Sequence, residues 1–132
     1  MTLKFMLDTD SVSYALRGVG AVGARILGHR PSELCISAVT LAELRYGAHK
    51  RGSAKLHHLI DAFVRSLAAQ EFDPAAADEY GRLALELAKR GTPIGAFATM
   101  IAAHAVSRKL VLVTNKEKHF RKIRGLKVEN WI

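Results

Sequence analysis

Residues 3–11 read Leu-Lys-Phe-Met-Leu-Asp-Thr-Asp-Ser, and this stretch decides the fold. Its apolar run ends abruptly on Asp8 and Asp10, as a buried strand does at the ligand-binding edge of a parallel sheet. A carboxylate at that edge faces a ligand, and a metal ion or a phosphate group is the ligand we expect. The alternative is that Asp8 or Asp10 only caps the following helix. Other carboxylates must therefore converge on Asp8 before it indicates catalysis.

The composition predicts one ordinary globular domain spanning residues 1–132. Hydrophobic residues make up 49% of the chain and charged residues 24%, which is the balance of a folded domain rather than of a disordered segment. The sequence shows neither a signal peptide nor an apolar run long enough to span a membrane, so we expect a soluble cytoplasmic protein. The single cysteine, Cys35, fits a core position in a reducing compartment.

Short apolar runs separated by helical patterns predict a layered α/β fold. The runs that indicate strands are 4–7, 34–37, 110–114 and a weaker one near Val128. Apolar residues at helical spacing over 56–67, Leu59 among them, predict a helix with one buried face. A second helix is predicted to start at Asp73 and Pro74 and to end near Gly91.

Two more polar sites follow predicted strands. Glu43 lies on a rather apolar helix, and no cation stands one turn away to pair with it. The alternative for Glu43 is a half-exposed side chain whose stem packs on its own helix. Asn115 and Glu117 follow the third strand, so the same edge of the sheet would bring them toward Asp8. Their alternatives are a turn residue and a first-turn helix acid.

The net charge of +8 is concentrated near the C-terminus. Between Arg108 and Lys127 there are eight Lys and Arg residues against one Glu, a net of +7. Such a patch favours salt-dependent contact with nucleic acid or an acidic protein, unless it is only a solvated face that aids solubility. The cations nearest the predicted edge are candidate phosphate contacts, each of which is otherwise an ordinary solvated side chain. They are Arg45, Lys50, Arg51, Lys116 and Lys118.

Three segments together resemble the PIN-domain ribonucleases and, more narrowly, the VapC toxins of type II toxin–antitoxin modules. They are Phe5-Met6-Leu7-Asp8-Thr9-Asp10, Ile36-Ser37-Ala38-Val39-Thr40-Leu41-Ala42-Glu43-Leu44-Arg45-Tyr46-Gly47 and Leu112-Val113-Thr114-Asn115, followed by Phe120 and a closing Val128-Glu129-Asn130-Trp131. The resemblance covers essentially the whole chain. It implies a three-layer PIN-like fold with a short, mostly parallel central sheet flanked by helices. It also implies an endoribonuclease that depends on Mg²⁺ or Mn²⁺ and cleaves structured RNA, with tRNA the commonest target.

The resemblance also assigns roles by position. Asp8 matches the first metal-binding aspartate and Glu43 the second acid, while Thr9, Asp10 and Thr114 support the site. The late acids of the family fall after the final strand. Among Asn115, Lys116, Glu117 and His119, only Glu117 supplies a negative charge there.

The third acid is expected at the start of the helix within 95–105, where this chain has Ala98. From the residues alone Ala98 is an ordinary helix former. Crowded carboxylates repel one another by about 4 kcal/mol at 4 Å and an effective dielectric near 20, and divalent ions relieve that repulsion. Losing one metal ligand costs on the order of 100-fold or more in activity. We therefore predict a ribonuclease fold with little or no cleavage activity.

The resemblance implies particular partners. These are a cognate VapB-type antitoxin, a second copy in a homodimer, and a toxin–antitoxin hetero-oligomer that reaches operator DNA only through the antitoxin. No membrane partner is expected.

Two other function classes stay open. Asp8-Thr9-Asp10 resembles the Asp-x-Asp signature of haloacid-dehalogenase-type phosphatases, although the acidic pair after a fourth strand is missing. The second is a non-catalytic module that binds nucleic acid or protein through the basic patch.

Overall fold

The structure, a computed structural model that describes residues 2–132, alternates short strands with helices. In chain order the elements are β1 (Phe5–Leu7), α1 (Thr9–Arg17), α2 (Val22–Leu27), a 3-10 turn (Pro31–Glu33), β2 (Leu34–Ser37), α3 (Ala38–Arg51), α4 (Ala54–Ser66), β3 (Ala69–Gln70), α5 (Pro74–Lys89), α6 (Ala96–Arg108), β4 (Val111–Val113), α7 (Glu117–Phe120) and β5 (Val128–Glu129). The predicted α/β class is confirmed. The predicted domain over 1–132 includes Met1, which lies outside the described residues.

The five strands of this part of the chain form one sheet in the order β3-β2-β1-β4-β5. Every neighbouring pair is parallel, so the predicted mostly parallel sheet is parallel throughout. In the central strand, Met6 lies opposite Cys35 on one side and Leu112 on the other. Because all strands run in one direction, their carboxyl ends meet at one edge, which is where parallel sheets place ligands.

Side chains of the strands alternate between two buried faces. Met6, Cys35 and Leu112 belong to a core cluster that includes residues of α5 and α6, while Leu7 belongs to a second cluster that includes residues of α1 and α2. Helices therefore cover both faces of the sheet, as the three-layer expectation required. Cys35 is fully buried, which confirms its predicted core position.

Side chains cap several helix starts, and the cap at Asp73 is one that the sequence predicts. Asp73 accepts a hydrogen bond from the backbone N–H of Ala76 at 2.9 Å, and Pro74 is the first residue of α5. Ser37 likewise accepts from the N–H of Val39 at 3.1 Å and starts α3 at the end of β2. Such caps satisfy N–H groups that have no partner within the helix. At the ligand-binding edge, β2 therefore turns directly into α3.

One expectation for local structure needs correction, and two short elements were not expected. Leu59 was predicted to face the core, but 38% of it is exposed. The reason is that position 59 lies at the margin of an apolar stripe centred on the fully buried Ile60. The two-residue β3 and the short α2 were not predicted, because neither carries enough periodic residues to indicate an element.

Among the helices within residues 2–132, none is both long enough and apolar enough to cross a lipid bilayer.

Candidate active site

One pocket at the carboxyl edge of the sheet gathers residues from four separate parts of the chain. Its lining residues are Asp8, Thr9, Asp10, Glu43, Ala98, Ile101, Lys116 and Phe120. The structure thus brings Asp8, Glu43 and position 98 together although they are far apart in sequence. The convergence that the interpretation of Asp8 required is present.

Asp8 serves as a helix cap and as a pocket residue at once. Its Oδ1 accepts a hydrogen bond from the N–H of Ser11 at 2.9 Å, so it caps α1, yet its side chain also lines the pocket. Burial raises the pKa of Asp8, while hydrogen bonds from Thr114 and Ser11 act in the opposite direction. The capping alternative and the functional one therefore describe the same side chain.

Glu43 is held in the pocket by a hydroxyl group rather than by a cation. The Oγ1 of Thr9 donates a hydrogen bond to Oε1 of Glu43 at 2.6 Å, and Oγ1 of Thr40 lies 3.3 Å from the same Thr9 oxygen. These contacts join the start of α1 to α3. A half-buried carboxylate with a single hydroxyl donor keeps most of its capacity to accept further bonds.

Ala98 lies in the first turn of α6 and presents its methyl group to the pocket. Gly95, just before this helix, has φ 96°, a backbone conformation that glycine adopts readily and other residues do not. The Oγ1 of Thr99 donates back to the carbonyl of Gly95 at 2.6 Å and tightens the turn. The helix start is therefore well defined, and the place where the resemblance expects a third acid is lined by a methyl group.

Lys116 brings a positive charge into the pocket. Its Nζ lies 3.0 Å from Oδ2 of Asp10. Asp10 raises the pKa of Lys116 above the ordinary lysine value, and the charge of Asp8 adds to the effect. Lys116 was expected only as a phosphate contact, whereas the structure pairs it with an acid of the site.

Asn115 and Glu117 are not among the residues that line this pocket. They lie in a neighbouring depression with Lys118, whose other lining residues are Lys116, His119 and Arg121. Asn115 donates to the hydroxyl of Tyr14 at 3.0 Å. Glu117 starts α7 and accepts bonds from Arg121 at 3.1 Å and from Asn130 at 2.7 Å. The turn and first-turn alternatives describe these two residues.

The other candidate phosphate contacts have different surroundings. Arg45 is engaged by Asp61 and His57 on α4. Lys50 lies over the ring of Tyr46, with its Nζ 5.9 Å from the ring centroid. Arg51 lines a groove that also contains Thr9, Asp10 and Glu43. Arg51, Lys116 and Lys118 are therefore the cations beside the site that are best placed to meet RNA.

Two aromatic residues beside the pocket were not singled out from the sequence. Tyr46 is 67% exposed and Phe97 is 56% exposed, and together with Thr9, Ala42 and Glu43 they line an apolar groove. Exposed aromatic groups next to a site are typical of a partner surface. The available signal was position, because Tyr46 follows Glu43 by one helical turn and Phe97 precedes Ala98.

The side chains present do not fit a divalent metal ion. Within residues 2–132, no group of three or more His, Cys, Asp and Glu side chains is arranged to hold one. Mg²⁺ prefers a near-octahedral shell of oxygen ligands. Here position 98 offers a methyl group, and the ammonium group of Lys116 lies beside Asp10.

Comparison with known proteins identifies the family. The family model of the PIN domain matches residues 5–126. The chain is 39% identical over 130 residues to the tRNA(fMet)-specific endonuclease VapC of Shigella flexneri, a match that covers 98% of each chain. It is 34% identical over 131 residues to ribonuclease VapC2 of Haemophilus influenzae strain ATCC 51907, covering 98% of this chain and 99% of that one.

A solved structure agrees with both matches. The fold is similar to the DNA-bound VapBC complex of Salmonella typhimurium, with a TM-score of 0.89 and 38% identity, covering 99% of this chain and 100% of that one. Sequence, fold and pocket position therefore agree, and the chain belongs to the PIN-domain family and, within it, to the VapC ribonucleases.

Proposed function

We propose that this chain is the toxin-type member of a VapBC-like module, a single PIN domain over residues 1–132 that recognises structured RNA and cleaves it with little or no activity. Two observations support tRNA as the RNA class: the basic surface beside the pocket and the name of the Shigella relative, a tRNA(fMet)-specific endonuclease. A protein that acts on tRNA works in the cytoplasm, where that RNA is found.

The observation that carries the proposal is the chemistry of the pocket lining, in which carboxylates occupy two of three expected positions and a methyl group the third. PIN-domain nucleases generally depend on a divalent metal ion, and Mg²⁺ or Mn²⁺ is the ion we propose for an active form of this site. Asp8 and Glu43 supply two carboxylates, while the methyl group of Ala98 lines the place proposed for a third. Loss of a ligand carboxylate costs about 100-fold or more in metal affinity or activity.

Binding of RNA does not need the missing acid. Lys118, His119 and Arg121 line a depression that Lys116 shares with the acidic pocket. Cations in such a position contact the phosphate backbone, and binding then weakens as salt concentration rises. RNA would therefore still dock beside the pocket in the present chain.

The partner surface is proposed on similar grounds. The apolar groove with Tyr46 and Phe97 offers a cognate VapB-type antitoxin contacts that do not depend on charge. We propose a homodimer that joins the antitoxin in a hetero-oligomer and meets operator DNA only through it. We expect the antitoxin to co-purify equally with the parent chain and with Ala98→Asp. Capture by Ala98→Asp alone would show that the acids dominate this contact.

The test of the proposal is cleavage of total tRNA with excess Mg²⁺ or Mn²⁺. The parent chain is compared with Ala98→Asp and with Ala96→Asp, which adds the same charge to the same helix turn at an exposed position outside the pocket lining. We expect strong cleavage by Ala98→Asp that a chelator abolishes, and background cleavage by the other two proteins. Equal, strong cleavage by the parent and Ala98→Asp would contradict the role of position 98.

The same assay separates the remaining function classes. Salt-dependent tRNA binding by all three proteins with cleavage by none would favour a non-catalytic binding module. The relatives named above are ribonucleases, and nothing in their names favours a phosphatase. Release of phosphate from an aryl phosphate by this chain would be the evidence for a phosphatase.

A further inference from the structure

The acidic pocket contains a cation supplied by the chain itself. The Nζ of Lys116 lies 3.0 Å from Oδ2 of Asp10, and Lys116 lines the same pocket as Asp8 and Glu43. Three carboxylates and one ammonium group thus share a small space. Two other cations, Arg51 and Lys118, line neighbouring surfaces and are not among the residues that line this pocket.

The backbone holds Lys116 in place beside the acids. Its N–H donates a hydrogen bond to Oγ1 of Thr114 at 3.0 Å. Thr114 is fully buried at the end of β4, and the N–H of Asp8 donates a hydrogen bond to the carbonyl of Val113, the residue before it, at 2.9 Å. The backbone of Lys116 is therefore tied to the same strand end as Asp8, and this places the start of the lysine side chain beside the acids.

A divalent ion in this pocket would encounter two obstacles. It would lack the carboxylate that position 98 does not provide, and it would be repelled by an ammonium group that already pairs with Asp10. Both features act in the same direction. Like charges a few ångströms apart disfavour one another, and solvent weakens this repulsion at a lysine that is 53% exposed without removing it.

We propose that Lys116 is a built-in counterion, which balances the acids of this pocket in the electrostatic role that a divalent ion has in an active PIN nuclease. The inference rests on the proposed function in one respect, that this pocket is where such an ion would be held. One consequence is specific to this chain. Restoring the acid at position 98 gives only weak metal binding, and neutralising Lys116 strengthens it.

The test is Mn²⁺ binding by isothermal titration calorimetry with the full chain in about 0.1 M salt, where charges are screened beyond about 10 Å. The proteins are the parent, Ala98→Asp, Ala98→Asp/Lys116→Met and Ala98→Asp/Lys118→Met. Methionine keeps the apolar stem and removes the charge. Lys118 is the matched control, because it carries the same charge two residues away and does not line the acidic pocket.

We expect no measurable Mn²⁺ binding by the parent and weak binding by Ala98→Asp. The Lys116→Met double variant should bind about tenfold more tightly than Ala98→Asp, and the Lys118→Met double variant should match Ala98→Asp. Equal affinity in both double variants would overturn the counterion role, whether both rise or neither does.

If Ala98→Asp fails to fold, Lys116→Met and Lys118→Met are compared in Ala98→Glu, which also restores a carboxylate at position 98. Mn²⁺ binding that becomes tighter for Lys116→Met alone supports the proposal. The same result for both, or for neither, overturns it. Excess metal overcomes competition by one lysine, so Ala98→Asp can cleave tRNA whether or not Lys116 weakens Mn²⁺ binding. A failure of the cleavage assay therefore counts against the proposed function. A failure of the Mn²⁺ titration counts against this inference alone.

Discussion

The two walls of the pocket differ in chemistry although one sheet carries both. The wall formed by β1, α1 and α3 contains Asp8, Thr9 and Glu43, joined by direct hydrogen bonds to their surroundings. The other wall, formed by α6 and the segment after β4, contains the methyl group of Ala98 and the ammonium group of Lys116. The difference teaches that buried residues beneath the pocket determine the fold, while a few edge residues determine the chemistry.

The largest expected effect is on the free energy of unfolding, and it comes from the buried sheet rather than from the pocket walls. Leu112→Ala removes a fully buried side chain of β4 and should lower the free energy of unfolding by about 2–5 kcal/mol. Urea denaturation measures this change, and Leu85→Ala, at a 57% exposed position, is the control. A loss at Leu112 no larger than at Leu85 would show that the sheet does not determine stability as described.

The next effect tests whether both walls must supply carboxylates. In the Ala98→Asp chain, Glu43→Gln keeps the shape of the side chain but removes its charge, so the restored cleavage should fall by about 100-fold. Single-turnover cleavage of tRNA measures the loss. Glu86→Gln, on α5 and outside the pocket, should retain the activity of Ala98→Asp. Full activity without the Glu43 charge would place the chemistry elsewhere.

A smaller effect comes from the burial of Asp8. Because burial raises its pKa in the folded state, the folded chain holds the Asp8 proton more tightly than the unfolded chain does. Stability is therefore lost as pH rises from the ordinary aspartate value of 3.8 through the raised one. Asp8→Asn, which still caps α1, should melt a few degrees higher than the parent at neutral pH.

This advantage of Asp8→Asn should vanish when the pH falls below 3.8, the ordinary aspartate value. Thermal unfolding across pH measures the gap, and Asp73→Asn controls for the change of cap residue. If the difference in melting temperature between Asp8→Asn and the parent increased on acidification, the direction of the pKa shift would be contradicted.

The smallest effect concerns the stability contributed by Lys116. Its side chain is 53% exposed and that of Asp10 is 40% exposed, so the ion pair contributes less than about 1 kcal/mol to folding. Urea denaturation of Lys116→Met should therefore nearly match that of Lys118→Met. If Lys116→Met alone strongly lowered the free energy of unfolding, the main role of this lysine would be to stabilise the fold rather than to balance charge in the pocket.

Much of the fold could be predicted because its signals are local. The apolar run ending at Asp8, the cap at Asp73 with Pro74, and the buried strand around Cys35 each reflect a short-range physical cause. The brief β3 carried no such signal, because two residues show no periodicity. Leu59 was misplaced because helical spacing alone does not define how wide the buried stripe is.

The site was only partly predictable. Position 98 stood out through the resemblance alone, since an alanine in a helix is unremarkable by itself. The pairing of Lys116 with Asp10 spans more than a hundred residues and depends on β4 lying beside β1, which spacing along the chain does not reveal. Asn115 and Glu117 were expected toward Asp8 because they follow a strand, whereas hydrogen bonds to Tyr14 and Asn130 hold them in the neighbouring depression.

The most direct test of the central claim is the single-turnover rate constant for tRNA cleavage with Asp, Asn or Ala at position 98. Asn matches Asp in size and polarity but lacks the charge, so the comparison separates the carboxylate from the space that it fills. With Mn²⁺ in excess, we expect Ala98→Asp to be about 100-fold or more faster than both the parent and Ala98→Asn. Equal rate constants for Ala98→Asn and Ala98→Asp would contradict the claim that the pocket lacks one carboxylate.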